Sequence, residues 1–287
     1  MSRASASQRI NLALTRAVES AGAVVRIAEE KNKGALVTFE LGTHKFPTHR
    51  IRIVRKLEGP FIAQRQHPNP RVAIVIDDFG YSRSELIEEF LSLDFPVTIA
   101  VIPTLRHSAY TAKRARELDK QVILHLPMEA EAHGSDVPWI STDMNRSEIT
   151  DLLNRYVDGS PGIAGVNNHL GSRATQDRAV METVLRVLKR EDLFFLDSLT
   201  SPNSIAYTTA RSLGVPAARN DIFLDAGTDE EAVVEERVYR LIALAKRRGS
   251  AIGIGHPKAW TLEGIRSAEH MLKQSGVEVV FVSELAN

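Results

Sequence analysis

The alternation of short apolar runs with helix-like segments after Arg71 is the feature that most restricts how this chain can fold. The runs are RVAIVIDD, VTIAVIP, QVILHLP, GIAGVNNH, LFFLDS, GVPAARND and AIGIGHP, with VEVVFVSE as an eighth candidate. Most are rich in Val and Ile without polar alternation, which is typical of strands buried on both faces of a parallel sheet. Seven or eight repeats of strand then helix predict an α/β barrel, closed or nearly closed, with a doubly wound open sheet as the alternative.

The segments between these runs carry signals for the start and end of helices. Ser82 precedes Glu85 by three residues, as in a capping box, and NRSEITDLLNRYV has acidic residues early. The segment TDEEAVVEERVYRLIALAKRRG begins with acids, ends with bases and is followed by the stop signal Gly249. These patterns predict helices that cross over between successive parallel strands.

The pattern differs before the repeats begin, which predicts two domains. Residues 1–58 are expected to form a small α+β module of one helix and two strands, and 71–287 the barrel. Between them, residues 59–70 are rich in Pro and polar residues and are predicted to be a linker.

Composition excludes several classes of site and partner. The chain has 287 residues with 36 basic and 36 acidic side chains, so it has no net positive charge that would attract polyanions. Nucleic acid is therefore not an expected partner. It has no cysteine, so a metal ion must be bound by His, Asp, Glu or Asn. Neither a membrane span nor a signal peptide is expected in this chain. The oligomeric state is left open.

Polar and ionisable residues terminate nearly every apolar run on its C-terminal side. The C-terminal ends of parallel strands converge on one mouth, so residues far apart in sequence are expected to share a pocket. The residues at these ends are Asp77, Asp78, His125, Asn167, Asn168, His169, Asp197, Arg219, Asp221 and His256.

Two carboxylates and two histidines of this set predict a catalytic metal site. One of Asp77 and Asp78 can bind a cation while the other abstracts a proton from a bound water, or the pair starts a turn and caps a helix. His125 and His169 can each offer neutral imidazole to Zn²⁺ or a similar ion. Two histidines and one carboxylate leave coordination positions open, as in a catalytic rather than a structural zinc site.

Other strand-end residues have both catalytic and structural interpretations. His256 can act as a general acid or donate to an oxyanion, or belong only to a Gly-His-Pro turn. Asp197 can orient a catalytic partner or Arg219, or cap a helix. Arg219 and Asp221, with Asp225, can also form only a salt-bridge cluster in a loop.

Seven of the runs, RVAIVIDDFGYS, VTIAVIP, HLPMEA, GVNNHLGSRAT, FFLDSLTS, ARNDIFLD and AIGIGHP, together resemble the divergent polysaccharide deacetylase family over about 71–283. That family is similar to the NodB-like carbohydrate esterases. The resemblance implies an irregular (β/α) barrel of seven or eight mostly parallel strands. It also implies a divalent metal, most often zinc, that serves to remove acetyl groups from N-acetylated sugars, and a periplasmic or cell-envelope location.

The resemblance also implies roles for individual residues. Asp77 matches the family's catalytic base, Asp78 its aspartate ligand, His125 and His169 its histidine ligands, and His256 the histidine near the leaving group. Asp197 is retained as a third catalytic candidate. The substrate-binding candidates are Glu129, Asn168, Ser172, Arg219 and Asp221.

One position departs from the typical His-x-x-x-His motif of NodB-like enzymes. The residue four after His125 is Glu129, which is a possible ligand, an outer partner of the metal site or a solvent-facing residue, and the second histidine comes from another strand. The strand-end residues and the resemblance together make the leading hypothesis a metal-dependent hydrolase that removes acetyl groups from a polysaccharide or cell-envelope glycan. The alternatives are hydrolysis of another amide or ester, and an inactive metal-containing barrel that binds an envelope glycan or partner protein.

Overall fold

The computed structural model describes Thr15, Arg16, Val18 and residues 24–31, 36–42, 47–54, 67–132 and 134–287. The chain divides into two compact units, Met1–Gln64 and Arg65–Asn287. Most of the predicted linker, residues 59–66, lies outside the described residues.

The first unit contains a three-stranded antiparallel sheet. Its strands, in spatial order, are β1 (Val24–Lys31), β2 (Leu36–Gly42) and β3 (Pro47–Val54). Phe39 and Leu41 are buried with Val18, which lies in a helical stretch, so the unit is α+β as predicted. The prediction of two strands was wrong in number, because VVRIAEE, with three β-branched residues, also pairs into the sheet.

The second unit repeats strand and helix around one parallel sheet. The strands are β4 (Arg71–Phe79), β5 (Thr98–Val101), β6 (Gln121–Met128), β7 (Gly165–Leu170), β8 (Phe194–Asp197), β9 (Ala217–Arg219), β10 (Ile222–Phe223), β11 (Ser250–Gly255) and β12 (Glu278–Val279). The helices are α1 (Glu85–Leu91), α2 (Ser108–Glu117), α3 (Arg146–Asp158), α4 (Arg178–Arg190), α5 (Ala206–Leu213), α6 (Glu231–Arg248) and α7 (Ala259–Gln274).

The parallel sheet is curled into a half-barrel rather than laid out as an open doubly wound sheet. Its order is β10-β11-β4-β5-β6-β7-β8-β9, with β12 added beside β4. The two end strands, β9 and β10, follow each other in the chain with only Asn220 and Asp221 between them. Asn220 N–H donates to β8 at Asp197 O (2.9 Å), and Asp221 N–H donates to β11 at Ile252 O (3.0 Å). This short link spans the seam of the predicted NodB-like barrel.

Alternate residues of each strand face the barrel interior and the surrounding helices. In β4, Val72, Ile74 and Ile76 pack with the helices, whereas Ala73 and Val75 lie in a separate cluster inside the barrel. Successive side chains of a strand face opposite sides of the sheet, and here both sides are buried. Both sets of side chains are therefore apolar, and the sequence shows no alternation of apolar and polar residues. The same period places the next interior residue of β4, position 77, above the interior core.

The last predicted strand is mostly not a strand. Only Glu278–Val279 pairs with β4, and Val282–Leu285 forms a one-turn 3₁₀ helix. Val280, Val282 and Leu285 are buried against the interior cluster. This end of the chain therefore contributes to the core inside the barrel.

The helix signals are confirmed in part. Asn145 and Glu148 form a capping box at the start of α3, and Gly249 ends α6 with a left-handed φ of 95°. The predicted cap at Ser82 was wrong, because Ser84 is the N-cap of α1 and makes no side-chain cap bond. Among the described residues, no helix has both the length and the apolar character needed to cross a membrane.

Candidate active site

Asp77, His125 and Asn167 lie together at the C-terminal ends of β4, β6 and β7. Their side chains face the same side of the sheet as the interior core residues, and all three are buried. Nε2 of His125 lies 3.7 Å from Oδ2 of Asp77, and the Asn167 side chain contacts both residues. The period of the strands therefore places these polar groups on top of the apolar interior.

Asp78 reaches the same site by a different route. Regular alternation would turn its side chain toward the helices, but its φ is 59° and the pairing of β4 with β5 shifts register between Ile76 and Phe79. A left-handed φ is uncommon outside glycine but tolerated by aspartate. The irregularity brings two consecutive carboxylates to one site.

Asp78, His125 and His169 form the candidate metal centre. Oδ1 of Asp78 lies 3.1 Å from Nε2 of His125 and 2.9 Å from Nδ1 of His169, and the two ring nitrogens are 3.1 Å apart. Within the part of the chain that the structure describes, this is the one group of three such residues close enough to share an ion. His125 is buried, whereas Asp78 is about one third exposed on one side.

The spacing and chemistry of these three ligand atoms fit a zinc ion. Ligand atoms around a tetrahedral zinc ion are separated by roughly 3.3 Å. The observed separations of 2.9–3.1 Å need to open by only a few tenths of an ångström. Two imidazole nitrogens, one carboxylate and an open side match a catalytic centre rather than a closed structural one.

The ionisation of the site follows from burial and the neighbouring charges. Burial raises the pKa of Asp77 above its ordinary value, although His125 and His256 oppose the shift. Burial opposes ionisation of Asp78 too, but hydrogen bonds from His125 and His169 hold its pKa well below the usual range. Burial lowers the pKa of His125, and the charges of Asp77 and Asp78 raise it by more. A proton and a cation therefore compete for this site.

His256 follows β11 and completes the mouth of the barrel. Its Nδ1 lies 2.9 Å from Oδ1 of Asp225, and its Nε2 lies 3.9 Å from Oδ2 of Asp78. Burial lowers the pKa of His256, but the hydrogen bond and charge of Asp225 raise it to about 9. The ring is therefore held in one orientation with its Nε2 toward the candidate metal centre.

Asp225 was assigned only to a loop salt-bridge cluster by the sequence, but the structure places it in the site. Its buried carboxylate also accepts from the backbone N–H of His256 and the hydroxyl of Thr261, each at 2.9 Å. The signal that could have identified it is the run IFLD, which ends in Asp225 as the other apolar runs end in polar residues.

Asp197 is buried at the end of β8, but its contacts are those of a loop and helix cap. Its carboxylate accepts from Leu199 N–H (2.9 Å), Ser204 Oγ (2.8 Å) and Tyr207 N–H (3.2 Å). In the described part of the chain, no ion pair joins it to Arg219. The contacts favour the capping interpretation, and a catalytic role for Asp197 stays a prediction.

The structure gives Arg219 and Asp221 separate partners. The Arg219 guanidinium lies 5.8 Å from the centre of the Tyr207 ring. Asp221 contacts Arg248 Nη1 at 3.2 Å and accepts from Ile252 N–H at 3.0 Å. Their substrate-binding roles stay predictions that these contacts do not support.

Glu129 is bound to protein groups rather than to the candidate centre. Its carboxylate contacts Arg173 Nη1 (3.1 Å) and accepts from Thr142 N–H (2.7 Å) and Oγ1 (2.6 Å). Burial raises its pKa, but Thr142 and Arg173 lower it by more. Glu129 thereby ties the loop at 142 to the end of β6.

Ser172 and Asn168, the last two substrate-binding candidates, also bond within the protein. Ser172 Oγ accepts from Glu131 N–H at 3.0 Å. The buried Asn168 amide accepts from Ser198 N–H (2.9 Å) and donates to Leu170 O (2.7 Å). Both stabilise the loops around the site, and contact with substrate stays a prediction.

A cleft of about 270 Å³ opens beside Asp78 and His256. Tyr81 and Lys258 also line it, and the Tyr81 hydroxyl donates to Asp136 Oδ2 at 3.0 Å. A substrate bound in this cleft would lie against the exposed side of the candidate centre.

The chain is similar to other bacterial proteins in sequence or in fold. The Escherichia coli (strain K12) protein YibQ is 33% identical over 218 residues, which are 76% of this chain and 67% of YibQ. The Agrobacterium tumefaciens C58 protein ATU2773 is 25% identical with a TM-score of 0.69, over 79% of this chain and 92% of that one. A mutant of BA3943 from Bacillus anthracis, described as a CE4 family pseudoenzyme with restored enzymatic activity, has a TM-score of 0.52 at 16% identity, over 91% of each chain.

The family assignment covers most of the barrel and all of the site residues described above. The sequence profile of the divergent polysaccharide deacetylases matches residues 74–286. Asp77, His256 and the candidate metal centre all lie within this range. The chain therefore belongs to the divergent polysaccharide deacetylase family.

Proposed function

We propose that the barrel is a metal-dependent deacetylase that hydrolyses the N-acetyl groups of a polysaccharide or cell-envelope glycan. The observation that carries this proposal is the arrangement of five side chains at one mouth. The ligand atoms of Asp78, His125 and His169 lie close enough to one another to hold one ion, and Asp77 and His256 lie beside them. The family of the chain supports a sugar amide as the substrate.

Asp78 Oδ1, His125 Nε2 and His169 Nδ1 are the atoms that would hold a divalent metal, with zinc favoured by the two imidazoles. When bound, such an ion polarises a carbonyl and lowers the pKa of a water molecule. The exposed side of Asp78 in the cleft leaves room for the acetyl group at this position.

Asp77 is the proposed general base. Its raised pKa brings the carboxylate closer to the pH at which a base is effective, because an ordinary aspartate is too weakly basic to hold the proton it takes. Oδ1 accepts from Asn167 at 2.8 Å, which leaves Oδ2 on the side of His125. Asp77 would take one proton as the water oxygen attacks the acetyl carbon.

His256 is the proposed general acid. Because Asp225 accepts at Nδ1, the proton to be transferred is on Nε2, which faces the site. As the C–N bond breaks, this proton passes to the sugar nitrogen. The products are the free amine and acetic acid, which loses its proton to solvent to give acetate. The proton held by Asp77 returns His256 to its starting state through solvent.

Acetate release from N-acetylated chitooligosaccharide and from peptidoglycan fragments tests the proposed function. Zinc-loaded protein is expected to release acetate, and treatment with a chelator is expected to stop the release until zinc is restored. Release from other acyl amides or esters but not from these sugars would assign the site to a different hydrolysis. Protein that binds zinc and releases no acetate from any of them would favour the non-catalytic binding role.

Removal of the Asp225 charge is expected to lower kcat and move its pH dependence. Asp225→Asn should reduce kcat by about 10²-fold, since a positioned general acid contributes about 10²–10⁴-fold. Asp225 raises the pKa of His256, so the acid form is present below that pKa and is lost above it. Without this charge the pKa falls, and the alkaline limb of the kcat profile should move to lower pH. An unchanged profile would show that His256 is not the acid.

A further inference from the structure

Asn167 connects the candidate metal centre to the candidate base. It lies at the end of β7 and is fully buried. Its Oδ1 lies 2.8 Å from Nδ1 of His125, and its Nδ2 lies 2.8 Å from Oδ1 of Asp77 and 3.2 Å from Oγ of Ser198. One amide thus contacts a metal-binding histidine on one side and a carboxylate on the other.

Ser198 determines which end of this amide faces which neighbour. Its hydroxyl donates to the backbone carbonyl of Asn168 at 3.0 Å, and a carbonyl can only accept. The single hydroxyl proton is therefore used, and the Ser198 oxygen must accept from Asn167. This requires the N–H₂ group of Asn167 to face Ser198 and Asp77, and its oxygen to face His125.

The orientation of the amide determines the tautomer of His125. An amide oxygen can only accept, so Nδ1 of His125 must carry the hydrogen. In the neutral ring Nε2 then has a free lone pair, and it is Nε2 that lies 3.1 Å from both Asp78 Oδ1 and His169 Nδ1. Hydrogen bonds of this kind orient metal-binding histidines in other sites.

We propose that Asn167 is a positioning residue with two functions, one for each end of its amide. Its oxygen holds His125 in the tautomer that can bind a metal, and its nitrogen holds Asp77 at the same site. The inference rests on the proposed metal site but concerns Asn167, to which the sequence assigned no role in that site. Through Asn167, the end of β7 directly links the metal-binding histidine His125 to the general base Asp77.

Zinc affinity of variants at position 167 tests the first function. Asn167→Ala removes the acceptor for His125 and is expected to weaken zinc binding by about 10–100-fold. Asn167→Asp keeps an oxygen that accepts from Nδ1 and should bind zinc at least as tightly as the wild type. A competitive zinc chelator in titrations gives the Kd, and circular dichroism melting confirms that each variant is folded.

Asn220→Ala is a matched control for the loss of a buried amide. Asn220 is buried at the seam of the barrel and bonds to Ser198 O and Ile222 N–H, outside the metal centre. It is expected to lower the melting temperature without changing zinc affinity. Wild-type affinity in folded Asn167→Ala, or a loss in Asn167→Asp equal to that in Asn167→Ala, would overturn the inference while leaving the proposed metal site intact.

Turnover of Asn167→Asp tests the second function. This variant keeps the histidine contact but loses the N–H that donates to Asp77, so kcat should fall by about 10-fold or more while zinc affinity does not. Wild-type kcat in this variant would overturn the role toward Asp77. Wild-type protein that binds no zinc would instead contradict the proposed function itself, and the inference with it.

Discussion

Asp78→Asn is expected to abolish both zinc binding and acetate release. Asp78 Oδ1 lies 3.1 Å from His125 Nε2 and 2.9 Å from His169 Nδ1, so a neutral amide at this position leaves the two imidazoles without a charged ligand. The loss of an outer partner of a metal site costs about 10–100-fold in affinity, so the loss of a ligand should exceed about 100-fold. Elemental analysis of purified protein should show near-stoichiometric zinc in the wild type and almost none in the variant.

The backbone at position 78 makes asparagine the appropriate replacement. Asparagine tolerates the left-handed φ of 59°, whereas alanine would add backbone strain to the loss of the ligand. Asp119→Asn is a matched control, because Asp119 also has a left-handed φ, 54°, and lies in an exposed turn before β6, at the opposite end of the strands. Zinc retained in Asp78→Asn, or lost in Asp119→Asn, would contradict the assigned centre.

Asp77→Asn is expected to lower kcat by about 10³-fold, within the range that a general base contributes. Its zinc content should stay that of the wild type. The side chain keeps an oxygen that can accept from Asn167, so the shape of the site is preserved. What is lost is the ability to take a proton from water. Single-turnover acetate release, measured with zinc saturation confirmed for each sample, separates this effect from loss of metal.

The comparison between Asp77→Asn and Asp78→Asn distinguishes the two adjacent carboxylates. If Asp77→Asn lost zinc and Asp78→Asn retained it, their roles would be reversed. Equal kcat in wild type and Asp77→Asn would show that another group takes the proton. Asp78 is proposed as the ligand because its Oδ1 lies 3.1 Å from His125 Nε2, whereas Oδ2 of Asp77, the proposed base, lies 3.7 Å from the same atom.

The class of fold and the location of the site could be predicted from the sequence. Apolar runs that lack alternation require a sheet covered on both faces, and the helices between them require parallel strands. His125, His169 and His256 each follow such a run, so their convergence at one mouth followed from the direction of the strands. The close approach of His125 and His169 to Asp78 was expected on the same ground.

The orientation of the polar groups was decided only by the tertiary structure. Asp78 enters the site because of a local register shift and a left-handed residue, neither of which has a signal in the letters DDFG. From the sequence, Asp225 was interpreted as part of a loop salt-bridge cluster, and Glu129 as a possible ligand, an outer partner of the metal site or a solvent-facing residue. Burial and hydrogen-bond partners instead placed the first beside His256 and tied the second to Arg173 and Thr142.

By itself, then, the sequence determined which residue types reach the C-terminal ends of the strands, because that depends on local periodicity and chain direction. Tertiary structure decided which of them touch, because those contacts depend on how far the sheet curls and on hydrogen bonds between strands distant in sequence. Asn167 shows the difference most clearly, since it precedes His169 by two residues in the sequence, whereas packing places its amide between His125 and Asp77.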